Sequence, residues 1–175
     1  SIRRQRQMCI RDRHEHDDVE TLARYANVPV WNGLTNEWHP TQMLADFMTL
    51  KEEWGTLEGK TLTFIGDAQN NVASDLLVTG ALLGVNVNIV APTSRLPQEK
   101  VVTMAKEYAQ QTGATIQLSS EIDNTIYQTD ALYTDVWFSM GEPENVIEER
   151  VAMLKPYQVN MSIIKKVQNP VSYTH

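Results

Sequence analysis

TLTFIGDAQNNVASDLLVTGALLGVNVNIV, residues 61–90, decides the fold. Thr61–Ile65 is a short β-rich run bounded by Gly59 and the Gly66-Asp67 turn, which reads as a strand. Asn70 or Asn71 then caps a helix running to Gly84, with Val72, Leu76, Leu77 and Leu83 at its apolar positions. Val85–Val90 is a second strand. Strand, helix and strand within thirty residues is the unit that makes neighbouring strands parallel.

The alternation continues toward the C-terminus. Gln98–Gln111 reads as a helix with Val101, Met104, Ala105 and Tyr108 on one face, and Thr115–Leu118 as a strand. Asp123–Gln128 follows as a short helix and Ala131–Val136 as a strand. Pro143–Leu154 is a helix with Ile147, Val151 and Leu154 inward and an acidic first turn, Glu142 and Glu144, that suits its dipole. Gln158–Asn160 is a short strand, and a last helix runs to about Gln168. Upstream, Val19, Leu22, Ala23 and Ala26 share a helix face, and Val28–Trp31 is a short strand. Pro40 opens a helix with Met43, Phe47, Leu50 and Trp54 inward, which Gly55 stops. The expected fold is α/β, a doubly wound parallel sheet with helices on both faces.

Composition narrows the function. The 175 residues are 42% hydrophobic and 21% charged, ordinary for a globular chain and unlike a disordered or low-complexity one. No apolar run has the length of a membrane span. The net charge of −7 argues against nucleic acid, whose phosphates need a basic surface. One Cys, Cys9, excludes a disulfide scaffold and a Cys-based zinc cluster and fits a reducing, cytoplasmic compartment. His14 and His16 have no further Cys or His near them and read as solvated, so no metal is expected. Residues 1–13, with five Arg against one Asp, lack any helix or strand period, and 171–175 is the short string VSYTH. Both resemble translated sequencing-adapter read-through and are read as non-native tails.

In a doubly wound sheet ligands bind beyond the C-terminal ends of the strands, so loops 66–71 and 135–141 should share one edge. Loop 66–71 is no dinucleotide site: the fingerprint needs three glycines, only Gly66 is present, and the next strand ends in Ala91-Pro92 without an acid for a ribose. Asn71 can donate to a carboxylate and accept from an ammonium, Asp135 can take an ammonium, and Ser139 adds an acceptor. Together they suit the zwitterion of a free amino acid. Singly, Asn71 reads equally as a helix cap and Asp135 and Ser139 as turn residues. His39 and Gln42 stand at a helix N-terminus, where their donors suit an anion or a developing oxyanion. A plain capping His with an exposed Gln fits the same spacing.

Four segments carry a resemblance: YANVPVWNGLTNEWHPTQMLADFMTLKE (25–52), GDAQNNVASDLL (66–77), YTDVWFSMGE (133–142) and YQVN (157–160). In this order and spacing they resemble ornithine carbamoyltransferase over about residues 14–170. The resemblance implies an aspartate/ornithine carbamoyltransferase-like fold, here truncated. Residues 14–54 would be the end of a carbamoyl phosphate-binding domain with its linking helix, and 55–170 the ornithine-binding domain. It implies transfer of the carbamoyl group of carbamoyl phosphate to the δ-amine of L-ornithine, giving L-citrulline and phosphate, without metal or organic cofactor. The enzyme would be a cytoplasmic homotrimer in its full-length form. His39, Pro40, Thr41 and Gln42 would bind carbamoyl phosphate, His39 and Gln42 polarising its carbonyl. Asn71, Asp135, Ser139 and the Met140 backbone N–H would hold ornithine. Residues 31–52 are similar to bacterial enzymes of arginine fermentation, which does not exclude a biosynthetic role. Neither the family's Ser-Thr-Arg-Thr phosphate loop nor its His-Cys-Leu-Pro string occurs here, and Gln69 stands where Arg is frequent. The chain therefore reads as an interior piece, inactive by itself. A non-catalytic amino-acid-binding module on the same fold, and a carbamoyltransferase for another amine such as putrescine, are the alternatives.

Overall fold

The computed structural model describes residues 9–10, 15–138, 147–167 and 171–172. Its elements are β1 (Cys9–Ile10), α1 (His16–Tyr25), β2 (Trp31–Asn32), α2 (Pro40–Trp54), β3 (Thr61–Ile65), α3 (Asn71–Leu82), β4 (Asn86–Val90), α4 (Glu99–Thr112), β5 (Ile116–Ser119), β6 (Ala131–Tyr133), α5 (Ile147–Leu154), α6 (Met161–Ile164) and β7 (Val171–Ser172). Five strands form a wholly parallel sheet in the order β5-β4-β3-β6-β7. The register runs Thr61 beside Asn86 through Ile65 beside Val90, and Leu62 beside Ala131. β1 and β2 make a separate parallel pair. β1 and β7 both lie in the ends read above as tails.

Alternation along the strands sorts the two faces. Leu62, Phe64, Val87 and Ile89 point to one side and pack with Leu76, Leu77 and Ala81 of α3, Val101 and Ala105 of α4, and Met43, Phe47 and Leu50 of α2. Ile65, Val90 and Leu132 point to the other, against Ile126, Ile163 and Val167. Helices thus cover both faces, as the alternating pattern requires.

Several boundaries differ from expectation: β2 is Trp31–Asn32 rather than Val28–Trp31, and the last helix, α6, ends at Ile164. β6 stops at Tyr133 rather than Val136, because the Thr134 hydroxyl donates to the Ile65 carbonyl (2.9 Å) where a strand would use its backbone N–H. Residues 123–128 form turns closed by bonds to the Ile122 and Ile126 carbonyls, without a continuing helix. Asn160 belongs to no strand: its side chain accepts from Ser162 and Ile163 and caps the four-residue α6. Of the expected 143–154 helix, residues 147–154 are helical and 143–146 lie outside the described residues.

Candidate active site

The strand order reverses between β3 and β6, since β4 lies on one side of β3 and β6 on the other. A crevice opens at such a reversal, beyond the C-terminal ends of the two strands. Gly66 leaves β3 at φ 146°, a conformation that favours glycine, and its N–H reaches the Val90 carbonyl (3.1 Å), turning the chain sharply into α3. Asn70 is the cap: its side-chain oxygen accepts from the Ala73 N–H at 2.7 Å. That leaves its amide nitrogen to donate to Asp135 just beyond β6, at 3.2 Å across 65 residues.

Asn71, the first residue of α3, turns the other way. Its amide donates to the Thr35 carbonyl (2.8 Å) in the turn that leads to His39. One helical turn later, Asp75 accepts the His39 backbone N–H. Asn71 and Asp75 are spaced i, i+4 and share a helix face, so α3 grips the 35–39 segment at two points. Burial pushes the Asp75 carboxyl up to about 6, while the bond from His39 pulls it down. His39 is the N-cap residue of α2, its side chain makes no capping bond, and Pro40 occupies the first helical position. The Thr41 hydroxyl donates to the Gly33 carbonyl (2.8 Å), and the Gln42 amide donates to Asp46 (2.8 Å).

Of the residues named from sequence, the structure brings His39, Asn71 and Asp135 to the first turns of α3. His39 bonds Asp75 and Asp135 bonds Asn70, whereas the Thr41 and Gln42 side chains turn to Gly33 and Asp46. Ser139 and Met140 fall outside the described residues. A cavity of about 270 Å³ adjoins this turn, lined by Asn36, Trp38, Asn70, Asn71, Ser74 and Lys100 among others. Among the described residues no cluster of His, Cys, Asp or Glu is arranged to hold a metal ion, and no helix is long and apolar enough to cross a membrane.

Three charged residues beside the crevice went unread in the sequence. Asp67, almost fully buried, accepts from the Arg95 guanidinium through both its oxygens, Nε at 2.9 Å, and from Arg150 at 3.2 Å. Arg150 also donates to the Trp137 carbonyl (3.2 Å), tying α5 to the Asp135 loop. The available signal was positional: Asp67 and Arg95 follow the C-terminal ends of adjacent strands, so opposite charges there face each other.

Comparison with known proteins gives the family of this fold. Residues 58–175 match the family model for the aspartate/ornithine carbamoyltransferase Asp/Orn binding domain, and residues 3–52 the model for the carbamoyl-P binding domain. The chain is 58% identical over 151 residues to the catabolic ornithine carbamoyltransferase of Latilactobacillus sakei, covering 86% of this chain and 44% of that protein. It is 56% identical, over the same shares, to an ornithine carbamoyltransferase of Streptococcus pyogenes. The chain thus spans less than half the length of these curated relatives. The crystallised enzyme of Pyrococcus furiosus superposes with a TM-score of 0.88 at 38% identity, over 96% of this chain and 53% of that one. That of Gloeobacter violaceus gives 0.86 at 30%, over 97% and 55%. With two thirds of its residues in one family model and the rest of its fold shared with solved members, the chain belongs to the aspartate/ornithine carbamoyltransferase family.

Proposed function

We propose that the whole protein transfers the carbamoyl group of carbamoyl phosphate to the δ-amine of L-ornithine, giving L-citrulline and phosphate. The observation that carries this reading is the two-way reach of α3's first turn. Asn71 and Asp75 hold the segment bearing His39, and Asn70 holds Asp135. A carbamoyl donor and an amino acid seated on the two sides would face each other across one helix N-terminus. We place the division between a carbamoyl phosphate side and an ornithine side at residues 54/55, a reading supported by one family model ending at residue 52 and the other starting at 58.

The reaction follows from ordinary acyl chemistry. The neutral δ-amine attacks the carbamoyl carbon, a C–N bond forms, and negative charge gathers on the carbonyl oxygen. The C–O bond to phosphate then breaks, phosphate leaves with the bonding pair, and the nitrogen sheds its extra proton. His39 and Gln42 are assigned to the oxyanion; positioning and such preset donors supply most of the acceleration in reactions of this kind. Gln42 spends one amide hydrogen on Asp46 and keeps the second for substrate. Pro40 and Thr41 set the turn that presents carbamoyl phosphate to α2's N-terminus. Asn71, Asp135, Ser139 and the Met140 N–H are assigned to the α-carboxylate and α-amino group of ornithine, an assignment that requires the Asn71 amide to exchange its bond to the Thr35 carbonyl for the substrate. We also propose a cytoplasmic homotrimer, as in the resemblance.

The test uses the uninterrupted protein from the parent gene. Calorimetric titration should show binding of norvaline, which carries both α-groups, and none of putrescine, which lacks the carboxylate. Citrulline should form from ornithine and carbamoyl phosphate, whereas the 175-residue chain alone should form none. Tight binding of putrescine with no binding of norvaline would overturn the acceptor assignment. An amino acid bound without any carbamoyl transfer would favour the non-catalytic module.

A further inference from the structure

Asp46 is an acidic side chain in α2 that is 2% exposed and is assigned to neither substrate. One of its oxygens accepts from Gln42 Nε2 at 2.8 Å, and the other from the Tyr133 hydroxyl at 2.8 Å, 87 residues away at the end of β6. Tyr133 is itself 2% exposed and stacks on Phe64, ring centroids 6.1 Å apart, so its hydroxyl is held by the core of the sheet. Two residues after Tyr133 comes Asp135. The carboxylate therefore joins the residue assigned to the carbamoyl oxygen to the strand that delivers the residue assigned to the acceptor.

We propose that Asp46 is a positioning residue that fixes which end of the Gln42 amide faces the substrate and locks it in register with β6; this rests on the assignment of Gln42 above. The two ends of a glutamine amide have nearly the same shape, so packing alone does not choose between them. Nε2 is the end that faces Asp46, whose carboxylate oxygen accepts from it. The second N–H and Oε1 then take fixed directions, and the donor is in place before charge develops. Tyr133 supplies the other half. By filling the second oxygen it holds the carboxylate against rotation and refers Gln42 to the sheet rather than to α2 alone. An Asn at position 46 would offer an oxygen and an NH2 in the same space. Gln42 and Tyr133 would then compete for one acceptor, and the Gln42 amide would be free to turn over.

The test compares wild type, Asp46→Asn and Tyr133→Phe in the uninterrupted protein, with kcat counted per folded molecule. Asp46→Asn should lower kcat about 10- to 100-fold and leave the KM for ornithine within about twofold, since a donor is misdirected while the acceptor site stays intact. The 15N resonance of the Gln42 side-chain amide should move with it. A role confined to stability would lower the yield of folded protein and leave both the kcat per molecule and that resonance unchanged, and this outcome overturns the proposal. If Asp46→Asn does not fold, Tyr133→Phe decides: a loss in kcat of about threefold with a displaced Gln42 resonance is expected, and wild-type values for both overturn it. If wild type forms no citrulline, the carbamoyl-transfer reading fails on its own. The Gln42 resonance in the two variants then still reports whether Asp46 orients the amide.

Discussion

Asp75 is buried where a carboxylate has lost its water, with the His39 N–H in partial return, and burial wins by raising its carboxyl from 3.8 to about 6. Between those values the folded chain keeps a proton that the unfolded chain releases. Its contribution to stability is therefore fully present below pH 3.8 and is lost as the pH rises through 6, a swing of about 3 kcal/mol. Asp75→Asn keeps an oxygen for the His39 N–H and cannot ionise. It should be more stable than wild type by about 1–3 kcal/mol at pH 7.5 and no more stable near pH 4, read by urea unfolding at the two values. The same advantage at both pH values would mean that the gain comes from packing and that Asp75 carries no unfavourable charge at neutrality.

At the scale of elements, β3, α3 and β4 were legible to within about two residues, because a strand run, a helical period and glycine punctuation agree there. What composition hid was how closely α3 lies on the sheet. A Cβ built on Gly80 would stand 2.4 Å from Val87 Cγ2 on β4 and 3.5 Å from the Phe47 ring on α2. An isolated helix gains about 1 kcal/mol from Gly to Ala. Here the branched methyl has nowhere to retreat, and Gly80→Ala should instead destabilise by about 1–3 kcal/mol in chemical denaturation. Val87→Ala should cost less in the Gly80→Ala background than in wild type, and a Gly80→Ala chain as stable as wild type would show that α3 can shift away. The other misreadings have the same source in distant partners. Adjacent Asn70 and Asn71 look equivalent in the sequence, and only the start of α3 makes one a cap and leaves the other to reach Thr35. The Thr134 side chain ends β6 through a carbonyl 69 residues away. His39, Gln42, Asn71 and Asp135 could be proposed because they stand in local strings with recognisable chemistry. Asp46, Asp67 and Asp75 were not, because an acid in a helix or turn declares itself only through the donors that fold onto it.

Over the whole molecule, α2 is the element least at ease with its surroundings. Met43, Phe47 and Leu50 bury one face in the core. Leu44 and Met48, spaced i, i+4 on the opposite face, are 63% and 64% exposed. Trp31 and Tyr25, upstream in the same part of the chain, are also exposed. A helix that is apolar on both faces is a helix prepared for cover on both, and a large apolar side chain standing in water beside another marks a contact surface. The charge of −7 opposes association at long range, but screening confines that repulsion to about 8 Å at physiological salt, so it does not protect two apolar patches already in contact. The 175-residue chain should therefore self-associate through α2. The double substitution Leu44→Glu and Met48→Lys places an acid one turn before a base, the favourable order on a helix, and touches no core residue. Sedimentation should show wild type larger than one chain, and increasingly so with added salt as the repulsion is screened. The double variant should sediment as a single chain with an unchanged far-UV spectrum. Wild type that remains a single chain in high salt would show that this face of α2 tolerates water and that the exposed pair marks no interface.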